Sequence, residues 1–267
     1  MGRLSGKAGA VYVGQQIIDA CDVVWSEQVD ADVTASLDTG DYKVGGGSCK
    51  FVCAAGLGAG DIIASQAIGA LDLTGYDTLM AWLKSSVLTA AADIQLQMDD
   101  NAMLASPTTT TDIPILTAGE WRLCVMPQDL SGAGAIISIG LLYTVDIGAA
   151  DIWIDHIMAA KAVAGIRSWT LDYVMNTQET TAFDSSGHKT FVPTIDEWAG
   201  SFEGFKDGAP LATGSVVHLQ LRESAVATQA WIGSAIITAI HPNVAVDGVA
   251  MYSYDFQGTK ELAVPTA

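Results

Sequence analysis

Residues 163–173 have the sequence Val-Ala-Gly-Ile-Arg-Ser-Trp-Thr-Leu-Asp-Tyr, and residues 198–208 have the sequence Trp-Ala-Gly-Ser-Phe-Glu-Gly-Phe-Lys-Asp-Gly. From Trp169 to Tyr173, apolar and polar side chains alternate with the two-residue period of a β-strand. The same alternation recurs in three more stretches, at residues 94–98, 217–221 and 252–256. Each stretch therefore predicts a strand with one buried face and one solvated face.

Turn residues separate these stretches at short intervals. Asp247-Gly248 lies between two apolar triplets, 244–246 and 249–251, and predicts a hairpin there. Residues 85–92 and 187–195 are the two places where a short helix is expected. Many short strands with closely spaced turns predict an all-β protein made of sandwiches or barrels.

The charge of the chain is strongly acidic and unevenly distributed. Twelve Lys and Arg stand against 30 Asp and Glu, for a net charge of −18. Such a surface repels phosphate backbones, which argues against a nucleic-acid reader. Residues 15–160 hold 4 basic and 19 acidic side chains, whereas the rest of the chain holds 8 and 11. This asymmetry predicts two structural units.

The common catalytic motifs are absent from the sequence. GxGxxG, GxSxG, HExxH and an EF-hand loop do not occur. The acidic pairs Asp99-Asp100 and Asp196-Glu197 fit solvated turns better than a glycosidase pair. The four cysteines form no CxxC pair, so buried, inert thiols are expected. The sequence predicts a protein that is not an enzyme.

Five motifs in the last third of the chain occur in a recognisable order. After the Gly165–Trp169 strand come ETT at 179–181, FxP at 191–193, WxGSFEG at 198–204 and FQG at 256–258. This order resembles the major tail tube proteins of long-tailed bacteriophages. The sequence departs from that family at Ala199, where serine is more common. Residues 4–14 resemble the first strand of the same domain.

In shorter relatives of that family, the first strand leads almost directly into the strand that contains the tryptophan. Here 146 residues separate the two segments. The resemblance therefore implies a discontinuous tail-tube-like domain, residues 1–14 and 161–267, with a second domain, residues 15–160, inserted at a hairpin tip. Exposed hairpin tips tolerate such insertions.

The inserted segment has a resemblance of its own. Trp25 and the stretches at 33–39, 47–51, 71–79, 119–122 and 152–157 are similar to a jelly-roll domain of the carbohydrate-binding-module type. The similarity covers most of residues 20–158. It implies a two-sheet jelly-roll sandwich inside the tube-type β-sandwich or barrel.

The two resemblances imply a structural role. Tube proteins of this kind form rings that stack into a conduit, through which DNA passes without specific binding. We therefore expect a homo-oligomer that assembles with other virion proteins in the host cytoplasm, belongs to the virion tail and does not contact a membrane. A capsid decoration protein of the same fold, or an adhesin that binds cell-surface glycans through the insert, are the alternatives.

The resemblances also imply candidate site residues. Aromatic and histidine side chains in or beside the loop between the signature strands are candidates for the subunit interface: Phe183, His188, Phe191 and Trp198. Core packing of Phe191 and Trp198 and solvation of His188 are the alternatives.

In the insert, aromatic and polar side chains are candidates for glycan stacking: Trp82, Trp121, Trp153, Gln95, Gln97 and Arg122. Core packing of these tryptophans is the alternative. No cofactor is expected except a structural calcium ion, which the resemblance places at Asp38, Asp41 and Asp155. Acidic surface turns are the alternative for these three residues.

Overall fold

The computed structural model describes residues 9–28, 31–163, 165–181, 188–206, 210–224, 229–244, 246 and 248–265. This part of the chain contains sixteen β-strands and one short 3-10 helix at Ala102–Leu104. The strands are β1 Ala10–Asp19, β2 Ser26–Glu27, β3 Val33–Asp38, β4 Ser48–Cys53, β5 Ile62–Leu71, β6 Thr78–Ser85, β7 Ile94–Asp99, β8 Thr109–Asp112, β9 Arg122–Pro127, β10 Ile136–Tyr143, β11 Ala150–Ala162, β12 Ile166–Glu179, β13 Phe191–Phe205, β14 Val216–Arg222, β15 Ala230–Asn243 and β16 Met251–Ala263. The all-β prediction is confirmed.

The chain divides into two compact units. One, the split unit, consists of residues 1–13 and 162–267, and the other, the inserted unit, consists of residues 14–161. These boundaries differ by one residue at each junction from those that the sequence suggests. Each unit has its own hydrophobic cluster.

The inserted unit is a sandwich of two five-stranded sheets. The first sheet has the order β3-β4-β11-β6-β9 and the second the order β2-β5-β10-β7-β8. Neighbouring strands pair antiparallel in both sheets. Phe51 and Ile154 from the first sheet belong to the same buried cluster as Leu96 and Ile139 from the second. Burial of these alternating side chains between the sheets supplies the main stabilisation of this unit.

A β-bulge in β11 decides which of its side chains face this core. Ile152 and Ile154 are fully buried in the cluster, and the next residue to join it is Ile157. The register with β6 shifts between Asp155 and Met158, and His156 has a positive φ of 49°. The extra residue moves the inward-facing positions from Ile152 and Ile154 to Ile157 and Ala159.

The split unit is built on one antiparallel arrangement of strands. Its order is β12-β13-β16-β15-β14-β1. Trp198, Phe202 and Phe256 form the aromatic centre of its core, with the ring centroids of Phe202 and Tyr254 stacked 4.9 Å apart. Gly200, between the two β13 aromatics, leaves room for the Phe256 ring, whose Cζ would lie 2.7 Å from a Cβ at this position. The signature WxGSFEG stretch therefore encodes core packing.

Several local predictions can be compared with the structure. The strands expected at 94–98, 169–173, 217–221 and 252–256 all lie within observed strands. The helices expected at 85–92 and 187–195 are wrong for the described residues. Residue 85 ends β6 and 86–92 form a connection without regular structure, and 191–195 belongs to β13. The expected hairpin joins β15 to β16, but its connection runs from residue 244 to residue 250, longer than a two-residue turn.

The four cysteines are free and buried, as the sequence predicts. Cys21, Cys49, Cys53 and Cys124 all lie in the core of the inserted unit. Burial raises the pKa of Cys53 and that of Cys124 to about 12. These thiols therefore remain protonated at neutral pH.

No helix in the described ranges combines the length and the apolar character that crossing a bilayer requires.

Candidate functional site

The far half of the β12–β13 hairpin extends beyond the sheet of the split unit. β12 and β13 pair along their whole length, from Ile166 with Gly204 to Glu179 with Phe191. The other edge of β13 pairs with β16 only from Ala199 onward. Residues 172–179 and 191–197 thus form a two-stranded segment, which we call the ribbon. Every described side chain of the ribbon is exposed.

The ribbon carries large apolar side chains that are open to solvent. Ile195 is 74% exposed and Phe191 is 54% exposed. Tyr173 and Val174 are consecutive strand residues, so they point to opposite faces of the ribbon. The exposed apolar side chains are Tyr173, Val174, Met175, Phe191, Val192 and Ile195. Both faces of the ribbon therefore present apolar surface.

Polar contacts between its two strands hold the ribbon together without a core. The hydroxyl of Tyr173 donates to Oδ2 of Asp196 at 2.8 Å. At the far end, Nζ of Lys189 lies 3.0 Å from Oε2 of Glu179. The hydrogen bond from Lys189 lowers the pKa of the Glu179 carboxyl. Exposed pairs of this kind contribute little stability, so they orient the strands more than they stabilise them.

The predicted interface residues occupy two different environments. His188 and Phe191 are exposed at the far end of the hairpin. Trp198 is 3% exposed and belongs to the core, where its ring centroid lies 6.0 Å from that of Phe256. This position differs from the predicted interface and agrees with the core alternative. Phe183 lies outside the described residues.

In the inserted unit, the tryptophans proposed for glycan stacking lie on the outer face of the first sheet. Trp153 on β11 has Lys50 of β4 and Lys84 of β6 as its cross-strand neighbours. The Nζ atoms of these lysines lie 4.7 Å and 4.6 Å from the centroid of the Trp153 ring. Both distances are typical of cation–π contacts.

The loop between β3 and β4, residues 39–47, covers this face. Oδ2 of Asp41 lies 2.5 Å from Nζ of Lys84, and Oδ1 of Asp41 accepts the indole N–H of Trp121 at 2.6 Å. The ammonium group of Lys43 lies 5.4 Å from the centroid of the Trp82 ring. Trp82 and Trp153 are each only 7% exposed. Neither indole presents an open ring face to a sugar in this conformation.

The remaining predicted glycan residues do not join these tryptophans. Gln95 and Gln97 lie on β7, which belongs to the second sheet. Gln95 donates from its side-chain amide to Asp112. Arg122 on β9 donates through Nη1 to the carbonyl oxygen of Ile115. The predicted residues are therefore distributed over two sheets and do not form one platform.

The three carboxylates proposed for calcium all contact the 39–47 loop or its edges. Oδ2 of Asp155 accepts the backbone N–H groups of Lys43 and Val44 at 2.7 Å and 2.8 Å. Oδ2 of Asp38 accepts the indole N–H of Trp153 at 3.0 Å, and its Oδ1 accepts the backbone N–H of Gly40. In the described ranges, no three acidic, histidine or cysteine side chains form a group that could hold a metal ion.

These hydrogen bonds explain the acidity of two of the carboxyls. The hydrogen bond from Trp153 lowers the pKa of Asp38 below 3.8. The hydrogen bond from Lys84, followed by that from Trp121, lowers the pKa of Asp41 below 3.8. The protein donors that a calcium ion would have to displace thus already stabilise the charged forms.

Sequence reasoning missed two groups of residues. Lys50 and Lys84 occupy outward strand positions on the two sides of Trp153. The sequence signal for them is a lysine in each of the two strands, but their position beside Trp153 requires the strand pairing. The polar residues of the alternation at 217–221, His218 and Gln220, were expected on a solvated face, but both are buried, as is Arg222 after them. Only the three-dimensional structure could reveal that burial.

No protein-family model matches the chain, and no curated protein matches it. Among solved structures, a chain from the tail of an empty gene transfer agent (GTA) particle with C6 symmetry is 18% identical over 40% of this chain and 87% of its own, with a TM-score of 0.34. A chain from the virion of a native GTA particle is 18% identical over 40% of this chain and 89% of its own, with a TM-score of 0.34.

A third solved structure aligns with nearly the whole chain. The N-terminal CBM22-1-CBM22-2 tandem domain from Paenibacillus barcinonensis Xyn10C is 12% identical over 99% of this chain and 88% of its own, with a TM-score of 0.32.

Proposed function

We propose that this chain is a structural virion protein, a phage tail tube subunit whose copies associate through the ribbon. The observation that carries the proposal is the exposed apolar surface on both faces of the ribbon, led by Ile195 and Phe191. In this assignment, copies form rings that stack into the DNA conduit. The protein belongs to the virion tail and is assembled in the host cytoplasm.

Physical considerations favour a partner for the ribbon. A two-stranded hairpin without a core is marginally stable in water. Soluble monomers rarely expose contiguous apolar patches of this kind, and those that do generally use them for binding. Burial against another chain would remove this surface from water and stabilise the hairpin.

A second copy of the chain suits the ribbon as its partner. β12 is the terminal strand in the order of the split unit, so its outer edge has no neighbour among the described strands. The backbone N–H and C=O groups of such an edge pair readily with another sheet. When the ribbon of one copy continues the sheet of the next, the contact is heterologous and repetition closes a ring.

The charge distribution is consistent with a conduit. Residues 1–14 and 161–267 hold 8 basic and 11 acidic side chains, too few cations to form many contacts with phosphates. DNA would therefore pass without specific binding. The inserted unit, with 4 basic and 19 acidic side chains over 15–160, would face solvent, where like charges keep particles apart. The role requires neither catalysis nor a cofactor, and other virion proteins would contact the ends of the tube.

The alternatives use other surfaces. An adhesin that acts through the inserted unit would have to move the 39–47 loop before a sugar could stack on Trp82 or Trp153. A capsid decoration protein would place the ribbon against capsid subunits instead of against its own copies.

The test is negative-stain electron microscopy of the purified full chain, with size-exclusion chromatography and light scattering over a wide concentration range. Rings or tubes with outer knobs are the expected result. A species that remains monomeric or trimeric at all concentrations would refute self-assembly through the ribbon. Assembly only after addition of capsids would assign the protein to the capsid, and glycan binding by a monomer would identify an adhesin.

A further inference from the structure

One face of β14 carries buried polar side chains. Val217, Leu219 and Leu221 point into the core of the split unit. The alternate residues on the opposite face are polar and at most 8% exposed: His218, Gln220 and Arg222. His218 lies 3.1 Å from the hydroxyl of Ser234, but Gln220 and Arg222 have buried polar atoms without hydrogen bonds. Because polar side chains are rarely buried without partners, these two residues indicate a specific use.

Arg222 is the charged member of the row, and two of its three guanidinium nitrogens form no hydrogen bond. Nη1 lies 3.4 Å from the hydroxyl of Tyr12, and Cζ lies 4.4 Å from the centroid of the Tyr12 ring. Nε and Nη2 are buried and form no hydrogen bond. Nε2 and Oε1 of Gln220 are likewise buried and form no hydrogen bond. An arginine keeps its charge, and a buried charge without a counter-charge is unfavourable.

A pocket of about 370 Å³ lies beside Arg222. Trp169, which also lines it, donates its indole N–H to the carbonyl oxygen of Arg222 at 3.2 Å. Glu223, another lining residue, accepts the indole N–H of Trp231 on Oε1 at 2.7 Å. The polar atoms of Trp169 and Glu223 named here thus already have hydrogen-bond partners, whereas Nε and Nη2 of the Arg222 guanidinium retain unused donors.

We propose that this pocket binds a carboxylate group, held by Arg222. The Nε–H and Nη2–H groups lie on one edge of a guanidinium, and their spacing matches the two oxygens of a carboxylate. In the unliganded conformation these two atoms are closed to water, so the guanidinium must turn toward the pocket. Turning gives up two contacts with Tyr12: the 3.4 Å contact with its hydroxyl, which is longer than a normal hydrogen bond, and the cation–π contact with its ring.

The net charge of the residues that line the pocket favours a ligand with one negative charge over a ligand with two. The ionisable residues that line it are Arg167, Arg222 and Glu223, which sum to one positive formal charge. A carboxylate neutralises this charge, while a phosphate dianion would leave an excess negative charge in a chain that is already acidic. Arg167 is an exposed side chain, whereas Nε and Nη2 of Arg222 are buried without hydrogen-bond partners, so Arg222 is the arginine that gains most from a carboxylate.

The carboxylate can come from two sources. One is a small free carboxylate, and the other is an Asp or Glu side chain of a second copy, of which the chain has 30. The second source rests on the proposed function, whereas the pocket itself does not.

The experiment is an NMR titration of the ¹⁵N-labelled full chain with sodium acetate, against sodium chloride at equal ionic strength. The Nε–H signal of Arg222 should shift saturably with acetate. Arg222→Lys keeps the charge but loses the paired donors, so it should weaken acetate binding about tenfold. Arg167→Gln, which removes an arginine from the same pocket lining, should change the affinity less than twofold. Phosphate should bind more weakly than acetate.

The absence of a saturable shift in the unmodified protein would overturn the proposal. Unchanged affinity in a folded Arg222→Lys variant would do the same. If that variant does not fold, the titration of the unmodified chain decides alone.

The source of the carboxylate is then determined by adding acetate to the assembly assay. If a side chain of a second copy occupies the pocket, saturating acetate should reduce ring formation. If assembly continues unchanged while acetate binds, the natural occupant is a free carboxylate. A chain that binds acetate but never assembles would refute the proposed tube function and support the pocket.

Discussion

The indole of Trp198 packs directly against the bare α-carbon of Gly258, leaving no room for a side chain at that position. A Cβ at Gly233 would likewise lie 2.6 Å from Cζ2 of the same indole. Two neighbouring strands thus carry glycines where the ring lies. The core of the split unit depends on this arrangement.

Gly258→Ala should destabilise the split unit by about 1 to 3 kcal/mol, because the new methyl group must displace the indole. The midpoint of urea unfolding, followed by near-UV circular dichroism, measures the loss. Gly75→Ala is the control, since a Cβ there meets nothing within 4 Å. Trp198→Phe combined with Gly258→Ala should recover part of the loss if the clash is the cause. Equal stabilities of the Gly258→Ala and Gly75→Ala variants would contradict the packing described.

The double variant Phe191→Ser, Ile195→Ser should not assemble. It should change the free energy of unfolding of the subunit by no more than about 0.5 kcal/mol, because both side chains are exposed. Light scattering at increasing protein concentration reports assembly, and thermal unfolding reports stability. Leu88→Ser, at a 69% exposed position of the inserted unit, is the matched control and should assemble normally. Rings formed by the double variant would show that the ribbon is not the interface.

The inserted unit should lose stability as the pH falls below about 4, partly through Asp41. The pKa of this carboxyl is lowered below 3.8 in the folded state, so its stabilising contribution is present above the unfolded pKa and is lost as the pH falls through the folded value. Asp41→Asn should therefore be less stable than the unmodified chain at pH 6, and the difference should shrink toward pH 3.

Urea unfolding at several pH values, followed by tryptophan fluorescence, measures this difference. Glu120→Gln changes the formal charge equally at an exposed position and serves as the control. If the difference in free energy of unfolding between Asp41→Asn and the unmodified chain stays constant with pH, the carboxylate contributes to stability through something other than its ionisation.

The four thiols should not react with iodoacetamide at pH 8 in the folded protein, because all four are buried. For Cys53 and Cys124, whose pKa burial raises to about 12, roughly one thiol in ten thousand is ionised at this pH. Mass spectrometry should find no modification until denaturant is added and four modifications afterward. Ser131→Cys, at an exposed position of the same unit, should be labelled in the folded state. Labelling of Cys124 without unfolding would indicate local opening of the core.

Residues 14–161 should fold when expressed alone, because the buried cluster of this unit runs from Ile18 to Ala159 without residues from the split unit. Calorimetry should show one cooperative transition for the isolated unit and a matching transition in the full chain. The absence of a heat-absorption peak in the isolated unit would mean that folding of this unit depends on the rest of the chain.

Strand positions were predictable because their signal is local. The alternation at 217–221 identifies β14, and the apolar residues of that pattern, Val217 and Leu219, are in the core. The bulge at His156 was not predictable, since an extra residue in β11 leaves no mark on composition and is defined only by the pairing with β6.

The candidate sites were less accessible to sequence reasoning. Phe191 is exposed and Trp198 is buried because β16 pairs with β13 only from Ala199 onward. The strand register decides where that pairing begins. The predicted glycan residues were grouped by chemical type, but Gln95 and Trp153 lie on different sheets.

The amino-acid sequence is sufficient to establish the all-β class and the inward alternation of most strands, because these depend on neighbours along the chain, and its composition establishes the acidic character of residues 15–160. The tertiary structure alone decided that the 39–47 loop covers Trp153 and that Arg222 is buried beside a pocket. The hydrogen bond from Lys43 to Asp155 spans 112 residues of sequence, and the contact between Arg222 and Tyr12 spans 210. Contacts over such separations arise only when the strands are packed, so no local pattern encodes them.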